Sequence, residues 1–333
     1  MIRVAIVSFA HLHSQAYIAN LRANRNVAFV GVYDPDDARR AQYGGALDVA
    51  TFASWEELLD AGIDAAIVCS ENVHHRRDVE RLAASGVHVL CEKPLAITVE
   101  DARAIVSACT DAGVTLMTAF PMRFSTPLLV AKQGLDDGTL GALTSCVAVN
   151  QGQLPKRHRS WFVDAQLAGG GAVTDHVVHL TDAMRWFTGS EVQSVYAIAN
   201  RIVHADQTEV ETGGLVSLRF SNGIDVSIDC SWSRPLGYPT WGGLALRLIT
   251  DRGAVDVDAF IQNSAYYGSG EHQVHWDYWG SDANQAMIDE FVAALAQRRA
   301  PQITGDDGLR AVEVVAAAYR SIASAAIEPV HRT

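Results

Sequence analysis

Apolar residues fall along this chain in two regimes. From Ile2 to Phe120, short apolar runs alternate with stretches of helical period. Arg3-Val4-Ala5-Ile6-Val7, Val27 to Tyr33, Ala65 to Cys69, Val87 to Cys91 and Val114 to Phe120 are continuous rather than alternating runs. That is the pattern of parallel strands covered on both faces. Helices are expected between them. One contains Ala16 and Leu21, one opens on the capping box Ser54-Trp55-Glu56-Glu57, one covers 75–84, and one runs over 98–112 from Thr98 to Gly113. Strand–helix alternation on this scale predicts an α/β domain with a doubly wound parallel sheet over residues 1–121.

The pattern changes in residues 122–333. A helix near 125–137 is followed by expected strands at 143–151, 192–201, 213–220, 224–232, 244–250 and 254–258, with Ser221-Asn222-Gly223 as a tight turn. A long helical stretch, 171–188, interrupts them, and helices at about 283–298 and 306–324 follow. Strands without helices between them predict an α+β domain with a large, open, mostly antiparallel sheet. Two closely packed domains with a cleft between them are expected.

Composition narrows the function classes. The 333 residues are 49% hydrophobic and 19% charged, ordinary globular material with a sizeable core. A net charge of -12 without a long basic run argues against nucleic acid, while leaving open a dinucleotide held by backbone N–H groups. Five dispersed cysteines without a Cys-x-x-Cys pattern fit buried thiols in a reducing, cytoplasmic compartment. No secretory leader is expected, and no apolar stretch is long enough to span a membrane.

Candidate chemistry begins with Glu92-Lys93-Pro94, which ends the run at 87–91. An unpaired buried lysine is costly, and ligands of open parallel sheets bind at the strands' carboxyl ends, so Lys93 is a candidate reacting group. A solvated lysine after a strand is the plainer alternative. Asp34 ends the second strand, where a carboxylate hydrogen-bonds ribose hydroxyls and repels a 2′-phosphate, favouring NAD over NADP. Arg39 and Arg40 soften that preference, and a helix-capping turn is the alternative. The first turn lacks Gly-x-Gly-x-x-Gly and reads Ser8-Phe9-Ala10-His11-Leu12-His13. Ser8 and Ala10 are small, and His11 or His13 offers a side-chain donor to phosphate. Asp175 and His179 lie i, i+4 on one helix face after Gly169-Gly170-Gly171, a workable proton-transfer pair or a packing pair. His11-x-His13, His74-His75 and His176-x-x-His179 are close pairs among twelve histidines, but spacing assigns no third ligand, so no metal site is expected. Of Trp161, Trp232, Trp241, Trp276 and Trp279, Trp161 is a candidate to stack on a sugar ring.

Together these residues resemble the glucose–fructose oxidoreductase, inositol dehydrogenase and rhizopine-catabolism (Gfo/Idh/MocA) family over nearly the whole chain. The resemblance is carried by Val87 to Ala96, by Ser70-Glu71-Asn72-Val73-His74-His75 with Glu71 in place of a usual proline, by Met122-Arg123-Phe124, by Gly169 to His179, and by Gly305 to Ala311. The glycine-poor first turn departs from the family pattern. The resemblance implies an NAD(P)-binding Rossmann domain and hydride transfer to or from a sugar, polyol or inositol-like substrate. It implies that His179 is the general base, that Asp175 binds a substrate hydroxyl and tunes His179, and that Lys93 stabilises the reacting oxygen. Ser8, Ala10, His11, Leu12, Asp34, Ser70, Asn72, His75, Glu92, Lys93 and Arg123 are the expected cofactor contacts; Lys93, Trp161, Asp175 and His179 are the expected substrate contacts. Arg123, Asn150, Gln153, Lys156, Arg157 and His158 are candidate polar lining. A non-catalytic dinucleotide or sugar sensor, and a glycosidase or epimerase with recycled NAD, are the competing readings. An open sheet with one uncovered apolar face further predicts a homodimer or homotetramer.

Overall fold

The computed structural model describes residues 1–157, 159–267, 274–278 and 280–332. The side chains of 266–267 and 274–278 are outside this description. His158, Trp279 and the Trp276 side chain, named above, therefore lie outside the described residues. The chain divides into two compact units, residues 1–121, 166–169 and 284–312 in the first, and 122–165, 170–283 and 313–333 in the second.

The first unit is built on a six-stranded parallel sheet of β1 (Ile2–Val7), β2 (Val27–Tyr33), β3 (Thr51–Phe52), β4 (Ala65–Val68), β5 (His88–Cys91) and β6 (Leu116–Thr118), ordered β3-β2-β1-β4-β5-β6. The order reverses between β1 and β4, the switch point where open α/β sheets bind ligands. Helices α1 (His13–Ala23), α2 (Asp37–Leu47), α3 (Trp55–Asp60), α4 (His75–Ala84) and α5 (Val99–Asp111) connect the strands. Residues 4–7 and 65–68 are fully buried, as their continuous apolar runs require. Ser54 caps α3 by accepting from Glu57 N, and Thr98 caps α5 by accepting from Asp101 N.

Sequence pattern alone did not place residues 284–312 in this unit. Leu309 and Val312 join its core with Leu95, Ile105 and Leu116. A Cβ on Gly308 would lie 2.3 Å from Thr118 Oγ1, so that close approach requires a glycine.

The second unit holds a seven-stranded sheet of β7 (Leu143–Gly152), β8 (Val192–Asn200), β9 (Gly213–Phe220), β10 (Asp225–Ser231), β11 (Gly242–Thr250), β12 (Gly253–Asp258) and β15 (Glu328–Pro329), in the order β12-β11-β7-β10-β9-β8-β15. A separate hairpin, β13 (Asn263–Tyr267) with β14 (Val274–Tyr278), was not anticipated. The large sheet is antiparallel except for β7 with β10, where Cys146 pairs Val226 in parallel register. Helix α6 (Thr126–Asp136) precedes the sheet and α8 (Ala172–Thr188) lies within this unit, as does α10 (Gly305–Ser324) from residue 313 on; the one-turn helix α7 (Ala165–Ala168) and α9 (Ala283–Gln297) fall almost wholly in the first unit. Helix α8 packs on β7, β9 and β10. The sheet face toward it buries Cys146, Ala148, Val216, Leu218, Val226, Ile228 and Cys230, while Val147, Tyr196, Ile198 and Leu215 on alternate positions are exposed.

All five cysteines are free and buried. Burial pushes the Cys109 and Cys146 thiols up to about 12, which leaves them inert. Among the described residues no helix is long and apolar enough to cross a membrane.

Candidate active site

In the first unit, the predicted cofactor contacts gather at the carboxyl edge of the parallel sheet. Ser8 follows β1 with φ 74, the left-handed conformation that favours glycine. Its hydroxyl donates to Asp34 Oδ2 at 3.0 Å and accepts from Ala10 N at 3.0 Å, so the side chain compensates for the backbone conformation. Asp34 Oδ2 also accepts from Phe9 N at 2.7 Å, and its Oδ1 accepts from Asp36 N at 2.9 Å and Arg39 Nε at 3.2 Å. Arg39 extends to Glu71 at 2.7 Å, which gives a purpose to the acid that stands where the family pattern has proline. Burial raises the Glu71 carboxyl, and Arg39 more than offsets it, so the group is held below its ordinary value.

These contacts test whether the chain fits a dinucleotide. The backbone at Ser8 and the small Ala10 fit the close approach of a pyrophosphate. At the ribose end, Asp34 already accepts from four donors of its own chain, so a ribose binds it only by exchanging one of them.

Lys93 is 5% exposed at the end of β5, and its peptide bond to Pro94 is cis. His75, fully buried, lies 3.0 Å by Nδ1 from Pro94 O and 3.2 Å by Nε2 from Ser70 O, tying the end of β4 to this turn. Burial lowers the His75 pKa, against the pull of Glu92. Asn72 Nδ2 donates to Ala168 O at 2.8 Å. Leu12 is the N-cap residue of α1, which has no side-chain cap.

Glu92 is fully buried and joins Tyr17 to the His11-x-His13 pair, a grouping around this carboxylate that sequence spacing did not reveal. Its Oε1 is 2.9 Å from His13 Nδ1 and 3.7 Å from His11 Nδ1, and it accepts from Tyr17 OH at 2.6 Å. Its Oε2 accepts from Lys93 N at 3.0 Å. Burial alone would raise the Glu92 carboxyl, but the charges of His11 and His13 and the bonds from His13 and Tyr17 hold it well below the usual carboxylate range. His13 and Tyr17 stand i, i+4 on α1, a spacing that could have revealed the pair.

In the second unit, α8 presents Asp175 and His179 one turn apart on one face. Asp175 Oδ2 accepts from Trp232 Nε1 at 3.0 Å and lies 3.7 Å from His176 Nε2. Trp232 is fully buried, and its part in holding Asp175 had no motif to announce it. Asn150 Nδ2 donates to His176 O at 3.3 Å.

The amino end of α8 has no side-chain cap of its own at Gly171. Glu211 supplies one from a distant loop. Its Oε1 accepts from Gly171 N at 2.9 Å, Val173 N at 3.0 Å and Tyr319 OH at 2.8 Å. The glycines permit this approach, since a Cβ at Gly171 would lie 2.0 Å from Glu211 O and one at Gly170 would lie 1.9 Å from Tyr319 Oη. A carboxylate here also complements the helix dipole.

Arg123 makes a two-point pair with Asp182, Nε to Oδ2 at 2.8 Å and Nη2 to Oδ1 at 2.5 Å, both residues buried. Trp161 is buried and stacked on Phe162 at a centroid distance of 4.2 Å. Gln153 Nε2 donates to Tyr238 O at 3.4 Å, while Lys156 and Arg157 are exposed.

Comparison with known proteins agrees with this architecture. Residues 2–120 match the oxidoreductase family with NAD-binding Rossmann fold, and residues 128–256 match the GFO/IDH/MocA C-terminal domain. The chain is 28% identical over 263 residues to a 1,5-anhydro-D-fructose reductase of Ensifer adhaerens, covering 77% of each chain. It is 26% identical over 318 residues to a D-xylose 1-dehydrogenase (NADP(+)) of Haloferax volcanii, covering 95% of this chain and 96% of the relative. Its fold matches that of GenD2 from gentamicin A biosynthesis, crystallised with NAD, at a TM-score of 0.88 and 24% identity, over 99% of this chain and 97% of the other.

Proposed function

Since the chain belongs to the GFO/IDH/MocA oxidoreductase family, we propose that it transfers a hydride between a nicotinamide cofactor and a hydroxyl-bearing carbon of a sugar, polyol or inositol-like substrate. The observation that carries this reading is Lys93, a lysine only 5% exposed at the carboxyl end of an interior strand of an NAD-binding Rossmann domain. When bound, the nicotinamide supplies the hydride acceptor or donor. Lys93 hydrogen-bonds the reacting oxygen and stabilises charge that develops on it. His179 takes the hydroxyl proton. Asp175, oriented by the Trp232 indole, binds a neighbouring hydroxyl. Ser8, Ala10 and the start of α1 hold the pyrophosphate, and Ser70, Asn72, His75 and Glu92 shape the turn that carries Lys93. Arg123, engaged by Asp182, anchors its segment.

NAD is the expected cofactor. The Asp34 carboxylate opposes a 2′-phosphate, although Arg39 lies against it. Titrating the protein with NADH and with NADPH, followed by cofactor fluorescence, tests this. Micromolar NADH binding followed by NAD reduction in a polyol and sugar screen is the expected result. Turnover by Lys93→Ala at near the parent rate would refute the assignment of Lys93.

The exposed apolar residues Tyr196, Ile198 and Leu215, neighbours on β8 and β9, together with exposed Val147 on β7, support a homodimer or homotetramer built through the C-terminal sheet. Mass measured by light scattering, compared with Leu215→Lys, tests that assembly. Five free buried thiols support a reducing, cytoplasmic setting.

A further inference from the structure

We propose that His11, His13 and Glu92 form a binding site for a divalent transition-metal ion, directly beside Lys93. Sequence spacing supplied two histidines and no third ligand. The fold supplies it from 79 residues away, by bringing the end of β5 against the turn after β1. One donor atom from each of the three residues lies within 4.8 Å of the others. Two imidazoles and a carboxylate, without a thiolate, suit zinc and its neighbours in the first transition row.

The distances fit such an ion. Ligand atoms about 2.0–2.1 Å from one ion stand roughly 2.9 Å apart at a right angle and roughly 3.4 Å apart at the tetrahedral angle. His13 Nδ1 and Glu92 Oε1 are 2.9 Å apart, and His11 Nδ1 and the same oxygen are 3.7 Å apart. Relative to Glu92 Oε1, His11 Nδ1 stands a few tenths of an ångström beyond the tetrahedral spacing, and drawing it in costs the 3.2 Å bond its Nδ1 accepts from His13 N. The carboxylate already has the outer partners that orient metal ligands, Tyr17 OH on Oε1 and Lys93 N on Oε2. His13 is 25% exposed, which gives the ion a way in, while Glu92 is wholly buried. Three protein donors leave at least one coordination position for water or a substrate oxygen, as in catalytic rather than structural metal sites. An ion there would polarise an oxygen ligand one residue from Lys93. The inference rests on this cluster and not on the hydride-transfer reading.

Zinc binding to the 333-residue chain, stripped of metal and of nucleotide, tests it by calorimetry in competition with a chromophoric chelator. One equivalent bound at micromolar affinity or tighter is expected, weakened at least about tenfold by His13→Gln and by Glu92→Gln, and unchanged by His74→Gln. X-ray absorption at the zinc edge of the unaltered protein covers the case in which Glu92→Gln fails to fold. It is expected to show nitrogen and oxygen ligands with the outer scattering of two imidazoles. Binding no stronger than that of exposed histidines, equal affinity in His13→Gln, or sulfur in the coordination shell would overturn the site. NADH binding without zinc binding removes the metal site and leaves the dinucleotide reading intact; zinc binding without NADH binding supports the site alone.

Discussion

Glu211 is the most informative residue to perturb, because one carboxylate oxygen holds the start of the helix that carries Asp175 and His179. It accepts from Gly171 N, Val173 N and Tyr319 OH. Hydrogen bonds to a charged group contribute about 1.5–3 kcal/mol each, but three sharing one oxygen are not additive. The favourable position at the helix amino end adds about 0.3–1 kcal/mol. Glu211→Ala removes all of these, leaving Val173 N to find water and Gly171 N with only its longer 3.3 Å bond to Tyr319 OH, so a local cost of about 3–5 kcal/mol is expected. Glu211→Gln keeps an acceptor oxygen and loses the charge; neutral bonds are roughly half as strong, so about 1–2 kcal/mol is expected. The readout is amide hydrogen exchange in peptides covering 171–178. At 1.4 kcal/mol per factor of ten, protection falls about tenfold in the glutamine variant and at least about a hundredfold in the alanine variant, wherever local opening governs exchange. Parent-like protection in Glu211→Ala, or identical losses in both variants, would refute the account of this cap.

Other outcomes follow from the same contacts. Breaking the buried Arg123–Asp182 pair with Asp182→Leu is expected to cost about 3–5 kcal/mol in urea unfolding, and pairing it with Arg123→Met to recover much of that. Trp232→Phe, by removing the indole donor to Asp175, is expected to lower turnover about tenfold or more while leaving cofactor affinity within about twofold, as separated by steady-state kinetics and fluorescence titration. Stability is expected to fall as pH drops below about 6.5, the ordinary histidine value, because buried His75 has a lowered pKa and takes its proton more readily when unfolded. That loss continues down to the folded-state pKa, and His75→Gln should flatten this part of the profile in thermal melts across pH.

The parallel sheet was legible because strands buried on both faces must be apolar at every position, and residues 4–7 and 65–68 are. The caps of α3 and α5 were legible because Ser54 and Thr98 act within one turn of themselves. What stayed hidden depends on partners far apart in the chain. Glu211 sits in a loop with no motif, yet caps a helix 40 residues earlier. Trp232 meets Asp175 across 57 residues, and Arg123 meets Asp182 across 59. The hairpin β13–β14 escaped because its strands are short and carry polar residues at both faces of the pattern, such as Asn263 and Ser264. Residues 284–312 read only as parts of two helices, at about 283–298 and 306–324, and nothing local says which sheet their apolar sides meet.

The contacts of Asp34 change how this protein can be engineered. Exchanging the acid at the end of the second strand is the obvious lever for switching a dinucleotide enzyme from one cofactor to its phosphorylated form. Here the same carboxylate fastens Ser8 in its left-handed turn, receives Phe9 N and Asp36 N, and anchors Arg39. Replacing it would loosen the turn before it altered selectivity. Redesign of cofactor preference has to begin at Arg39 and Glu71, whose pairing can be rewritten without unfastening the loop beneath.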